Sequence, residues 1–149
     1  MKPTNIMPPT WMLIAIIAML ILNFLLPLVW IIPPLWNLLG LIFLVSGMIF
    51  NLVADRAFQR VGTTVKPYQE SSGLVTDGVF QISRNPMYLG MGLILTGIAV
   101  IMRSLSPFLV IVLFVILIDR IYIRVEERML AEKFGTKWNA YKAKTRRWL

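Results

Sequence analysis

The first third of the chain is an almost unbroken apolar pattern. From position 3 to position 54 there is no Asp, Glu, Lys or Arg, an uncharged run of 52 residues. At about 1.5 Å of rise per residue a helix of that length would measure roughly 78 Å. A bilayer core is only ~30 Å thick, so one crossing cannot use the run up and two can. The pattern predicts a first span over about 11–32, closed by Pro33-Pro34, and a second over about 35–54. Joined by so tight a turn, the two are expected to form an antiparallel hairpin. Trp11, Trp30 and Trp36 stand near the span ends, where an interfacial aromatic belt would place them. Gly40, Gly47 and Ala54 recur every seven residues on one face of the second helix, which reads as a close-packing stripe.

From 55 to 84 the pattern is polar, with Asp55, Arg56, Arg60, Lys66, Glu70, Asp77 and Arg84 and the breakers Gly62, Pro67, Gly73 and Gly78. This predicts a loop outside the membrane, and loops of that length usually carry function. A third span opens at Asn85-Pro86, a good N-cap followed by a good first helical residue, and runs over about 86–102. Ser106-Pro107 repeats the same start, and the fourth helix runs to about Phe134, with Gly135 as its stop. At about 42 Å it outlasts the hydrocarbon, so a span over about 107–125 projects into water. The fold class is an all-α membrane helix bundle, one domain over 1–149. It has four transmembrane helices and a cytoplasmic, helical C-terminal extension over 126–149.

Charge sets the orientation. Lys and Arg number 15 against 7 Asp and Glu, a net +8. On a four-span layout every Lys and Arg except Arg103 falls on one side. The positive-inside rule then puts both termini, the 55–84 loop and the extension in the cytoplasm. With the cations flanking apolar spans, the expected partner is membrane lipid and not nucleic acid. With no Cys and no His, disulfides, thiolate nucleophiles and the commonest metal ligand and general base are excluded, and no metal site is expected. The apolar start is too long for a signal peptide and lacks a small-residue cleavage pattern.

Three features carry candidate chemistry. The first is Arg84-Asn85-Pro86-Met87-Tyr88-Leu89-Gly90-Met91-Gly92. A helix N-terminus beside an Arg suits a carboxylate or phosphate, and two glycines let a flat ligand approach; the plain alternative is a capped, packed span. The second is the charge on the fourth helix. Asp119 and Arg120 lie at the depth of the inner leaflet, where ionisable groups usually face a partner or a polar cavity. At 100° per residue Arg120, Arg124 and Glu127 share one stripe, while Asp119, Ile123 and Glu126 share its neighbour. The alternative is a salt-bridge ladder with snorkelling arginines. The third is the basic, aromatic tail with Trp138, Tyr141, Arg147 and Trp148, which alone would simply bind headgroups.

In this order the features resemble the isoprenylcysteine carboxyl methyltransferase family, whose relatives include the phospholipid N-methyltransferases. The resemblance covers about Phe58 to Leu149. It is carried by Gly62-Thr63-Thr64-Val65-Lys66-Pro67, Leu74-Val75-Thr76-Asp77-Gly78-Val79-Phe80 and Ser83-Arg84-Asn85-Pro86-Met87-Tyr88-Leu89-Gly90. Further on come Glu126-Glu127-Arg128-Met129-Leu130, Phe134-Gly135, Tyr141 and Arg147-Trp148. The family's frequent Arg-His-Pro reads Arg84-Asn85-Pro86 here, and Trp138 stands where a Tyr is common.

The resemblance implies an integral membrane enzyme that methylates a lipid-linked or lipophilic acceptor from S-adenosylmethionine. It assigns cofactor binding to Arg84, Asn85, Pro86, Tyr88, Leu89, Gly90, Gly92, Glu126 and Glu127. Substrate binding falls to Tyr141 and Arg147, and catalysis to Arg147 and Glu127. Which of Glu126 and Glu127 meets the cofactor stays open. Methyl transfer from a sulfonium needs alignment and exclusion of water more than proton transfer. An anionic acceptor needs no base, so carboxyl O-methylation of an isoprenylcysteine-type substrate is the leading expectation. An aminolipid or a small thiol are the alternatives within the family. Outside it stand a nicotinamide-dependent sterol reductase, a small transporter and a non-catalytic scaffold.

Overall fold

The computed structural model describes residues 6–62 and 72–149, so 63–67 of the family-like motif lie outside the described residues. Five helices carry the fold: α1 (Pro8–Leu25), α2 (Gly40–Val61), α3 (Pro86–Met102), α4 (Ser106–Ile118) and α5 (Arg124–Lys144). A 3-10 turn, Trp36–Leu39, leads into α2, and another, Gly78–Gln81, precedes α3. A single π turn, Asp119–Ile123, joins α4 to α5 without a break. Among the described residues the extended pairing is limited to one isolated bridge, Trp30 with Ser104, so the fold is all-α.

Proline decides where α1 ends. Pro27 biases the residue before it out of the helical region, and Leu26 sits at φ −146°, ψ 70°. The first helix therefore stops at Leu25 and not near 32. The segment 26–35 instead runs against the α3–α4 turn. The N–H groups of Ile31 and Ile32 donate to the Arg103 carbonyl at 3.0 and 3.3 Å, and Leu105 N–H donates to Val29 O at 3.0 Å. Arg103, the one cation at this end, donates from Nε to Ile32 O at 3.0 Å and lies 5.6 Å from the Trp30 ring. These bonds satisfy the backbone of a segment that has no helix of its own to do so. They also replace the expected hairpin: α1 packs against α4 and α3, and α2 packs against α3.

The Gly40, Gly47, Ala54 stripe does pack as expected. A Cβ on Gly40 would lie 2.5 Å from Gly97 O, and one on Gly47 would lie 2.5 Å from Gly90 O. Glycines therefore meet glycines along an antiparallel α2–α3 seam, where backbones approach more closely than any side chain allows. Past Ala54, α2 continues through the charged residues to Val61 and stops at Gly62, whose φ is +64°. The shift from apolar to charged residues marks a change of surroundings, while the glycine marks the helix end.

Two cores result. One joins α1, α3, α4 and the π turn through Met19, Leu95, Ala99, Ile118, Tyr122 and Ile123. The other, at the charged end, gathers Ala54, Val75, Phe80, Trp138 and Tyr141. Outside them, Leu13, Ile17, Leu20 and Phe24 on α1 and Leu41, Val45, Ile49 and Leu52 on α2 are exposed. Apolar faces of that extent mark a surface that meets lipid or protein. Two helices, Pro8–Leu25 and Trp36–Val61, have mean hydropathies of 2.0 and 2.1 and are long enough to cross a membrane; α3 is apolar and slightly shorter.

Candidate functional site

The α3 start, the π turn, the first turn of α5 and the chain's last residues meet at one end of the bundle. Gly135 makes this possible. At φ 47°, ψ −115° it breaks α5 in two, so the tail turns back and does not run on into solvent. The tail is then held by carbonyl acceptors. Arg84 N–H donates to Arg146 O at 2.9 Å, and Ser83 Oγ and Asn85 Nδ2 donate to Arg147 O at 3.0 and 3.1 Å. Arg84 Nη1 reaches Thr145 O at 2.7 Å and Lys142 O at 3.1 Å.

Glu127 lies at the centre and is 7% exposed. Its Oε1 accepts from Arg84 Nε and Nη2, at 3.1 and 2.8 Å, and from Arg147 Nε at 3.2 Å. Its Oε2 accepts from Arg147 Nη2 at 2.6 Å. Burial by itself would raise the Glu127 pKa. The hydrogen bonds and charges of Arg147 and Arg84 outweigh it and hold the carboxyl below its ordinary value. Arg147 is shifted up in turn, first by its hydrogen bond to Glu127. Arg147 Nη1 also donates to Asp119 Oδ1 at 3.0 Å, and Asp119 Oδ2 accepts from Arg124 Nε at 3.0 Å.

Glu126 lies about 100° round the helix from Glu127 and has different company. Its Oε1 accepts from the Tyr88 hydroxyl at 2.7 Å. Burial pushes its pKa up to about 7, against the Tyr88 bond, with the Glu127 charge adding to the rise. Tyr88 stacks obliquely on Tyr122, 6.3 Å between centroids. The Tyr122 hydroxyl accepts from Trp11 Nε1 at 3.1 Å and donates to Ile6 O, tying the start of α1 to this end. Gly92 is one turn beyond Tyr88 on α3, and a Cβ there would meet nothing within 4 Å.

The structure thus brings Arg84, Asn85, Tyr88, Glu126, Glu127 and Arg147 together, with Gly92 beside Tyr88. It separates others. Gly90 faces α2, where a Cβ would strike Asn51 Nδ2 at 2.3 Å, so its missing side chain serves packing. Pro86 is fully buried and Leu89 is buried, its N–H donating to Asn85 O. Asn85 starts α3 but does not cap it through its side chain, which is committed to the tail. Tyr141 belongs to the second core: its hydroxyl donates to Phe80 O at 2.6 Å, and burial pushes its pKa up to about 12, against the field of Arg84. Arg84, 8% exposed and 5.9 Å from the Trp138 ring, is a latch between Glu127 and the tail.

Three participants escaped the sequence reading: Asp119 as an Arg147 partner, Ser83 as a tail anchor and Tyr122 as the link to α1. A regular 100° helix hides the first. On it Asp119 and Glu127 fall about 80° apart, whereas the extra residue of a π turn removes about one step and brings them within about 20°.

Comparison with known proteins matches residues 35–137 to the phospholipid methyltransferase family. The chain belongs to that family. The match runs through α2, α3, α4 and the π turn into α5, the segments that build most of the site. An uncharacterized protein of Haemophilus influenzae is 36% identical over 63 residues, covering 42% of this chain and 100% of that protein. No solved structure matches. Membership makes the protein a methyltransferase of a membrane-associated family, in keeping with its two membrane-length apolar helices.

Proposed function

We propose that the protein is an integral membrane methyltransferase that moves a methyl group from S-adenosylmethionine to a lipophilic acceptor. The observation that carries this reading is the family match across α2–α5, joined to a charged, aromatic cluster at one end of an otherwise apolar bundle. The cofactor fits the residues present. A carboxylate beside a tyrosine hydroxyl, Glu126 with Tyr88, suits an ammonium and ribose hydroxyls. The open notch at Gly92 leaves room beside them. When bound, such a cofactor would supply an electrophilic methyl group on a sulfonium, a donor that asks the protein for alignment and dryness more than for proton transfer.

The chain's own residues then align and shield. Arg147, kept in plane by Glu127, presents its remaining N–H groups to an anionic group of the acceptor. The tail, latched by Ser83, Arg84 and Asn85, covers this end and keeps water from the reacting atoms. In our reading α1, α2, α3 and α4 each cross the bilayer, with both termini and the site on the cytoplasmic side.

Two acceptor chemistries fit. Carboxyl O-methylation of an isoprenylcysteine-type substrate needs an oriented carboxylate and no base. Aminolipid N-methylation needs a group to take a proton, and Glu126, with a pKa of about 7, is such a group. With an amine acceptor, transfer should rise with pH through a midpoint near 7, because only the ionised carboxyl accepts a proton, and Glu126→Gln should abolish that rise. With a carboxylate acceptor and saturating S-adenosylmethionine the profile stays flat over the same range. Calorimetry of the detergent-purified protein tests the cofactor. Saturable binding of S-adenosylhomocysteine without binding of a nicotinamide cofactor is expected; the reverse, or no binding of either, would overturn the reading.

A further inference from the structure

Two carboxylates hold Arg147, and they are not equivalent. Glu127 takes Nε and Nη2 at 3.2 and 2.6 Å, a side-by-side fork that already fixes the plane of the guanidinium. Asp119 takes Nη1 at 3.0 Å, on an edge the fork leaves open. Within the fork Arg147 is the accessible partner, with its side chain 33% exposed against 9% for Glu127. The second oxygen of Asp119 is held by Arg124, whose side chain is 52% exposed. Asp119 therefore has another partner ready if it leaves Arg147.

Only the π turn brings Asp119 onto the Glu127 face. Such turns are rare and collect at functional sites. Charge points the same way. Three arginines, Arg84, Arg124 and Arg147, share two carboxylates, Asp119 and Glu127, while Glu126 is bonded to Tyr88 and to none of the three, so the ion-paired network suits one further anion.

We propose that Asp119 is a stand-in anion on Arg147, displaced onto Arg124 by the anionic group of the methyl acceptor, and that it thereby sets the selectivity of the site. This rests on the methyltransferase reading for the ligand's being the acceptor. The ligand chemistry is a carboxylate or a phosphate diester next to a lipid tail, since both present a pair of oxygens to a guanidinium edge. If Asp119 merely steadied Arg147, its loss would weaken anion binding. As a competitor, its loss strengthens it.

Calorimetry on the full chain in detergent, saturated with S-adenosylhomocysteine, separates the two. The probes are an N-acyl-S-prenylcysteine, its methyl ester and a short-chain phosphatidylglycerol, an anionic phosphate diester. Asp119→Asn is expected to tighten binding of an anionic probe by about fivefold or more, while the uncharged ester and S-adenosylhomocysteine change less than about twofold. Tightening of the prenylcysteine alone assigns the carboxylate, and tightening of the phospholipid alone assigns the phosphate. Arg147→Gln should erase the effect in the double variant. Arg124→Gln, at an exposed position that does not threaten folding, should move anionic binding the other way by leaving Asp119 wholly on Arg147. Unchanged or weaker binding of both anionic probes in Asp119→Asn, equal tightening of the ester, or no anionic binding in any form of the protein would overturn the proposal. Failure of the wild-type protein to bind S-adenosylhomocysteine would instead count against the methyltransferase reading.

Discussion

Replacing Glu127 would strand two cations. Arg84 and Arg147 both point their guanidinium groups at its carboxylate, and Arg84 is nearly as buried as Glu127 itself. Breaking such a buried pair costs on the order of 3 kcal/mol, so Glu127→Gln should lower the melting temperature in detergent as well as activity. The pH dependence follows from the sign of the shift. The folded pKa is depressed, so the stabilisation is present above the ordinary carboxylate range and is lost as pH falls through the folded value. Acid melting curves should show this loss in the wild-type protein, and Glu127→Gln should lack that component. Equal acid sensitivity in both would contradict the role. Motif position alone suggests a cofactor ligand in Glu127; its partners tie it to the fold, because the tail reaches it only through the break at Gly135.

Among the elements, α3 tests the difference between a packing glycine and an open one. Gly47→Ala on α2 would put a methyl 2.5 Å from Gly90 O, with backbone on both sides of the seam, so it should destabilise the protein by about 1–3 kcal/mol. Gly92→Ala meets no atom within 4 Å. It should leave the melting curve unchanged yet weaken S-adenosylhomocysteine binding by about tenfold if the notch beside Tyr88 holds the cofactor. Normal affinity in Gly92→Ala would remove that notch from the site. The elements also divide by how far a sequence reveals them. The bounds of α3, the glycine stripe of α2 and the stop at Gly135 follow from proline, spacing and backbone freedom, which are local. The path of 26–35 does not: Pro27 marks the helix end locally, but where the segment goes depends on the α3–α4 turn, which is far away in sequence. The π turn is hidden for another reason: an inserted residue leaves no mark on hydropathy, yet it rotates everything after it.

For the whole molecule, the chain alternates in direction. Ser104 Oγ donates to Asn23 Oδ1 at 2.6 Å at one end, while Trp11 and Tyr122 meet at the other. With the charged cluster confined to the second end, the proposed four-crossing layout would place that end in the cytoplasm by the positive-inside rule. The chain has no cysteine, so single substitutions report topology cleanly. In sealed right-side-out vesicles a membrane-impermeant maleimide should label Leu105→Cys and spare Ala143→Cys until the membrane is opened. Labelling of both from one side would contradict the layout.

Methyl transfer to a lipophilic acceptor is open to one direct assay. The purified protein, reconstituted with S-adenosylmethionine labelled in its methyl group, is offered prenylcysteine and phosphatidylethanolamine in parallel, and the organic phase is counted. Label is expected in the lipid product of one of them, at a rate proportional to protein and reduced at least about a hundredfold in Arg147→Ala. Counts at background with both acceptors, or an Arg147→Ala rate equal to the wild type, would contradict it.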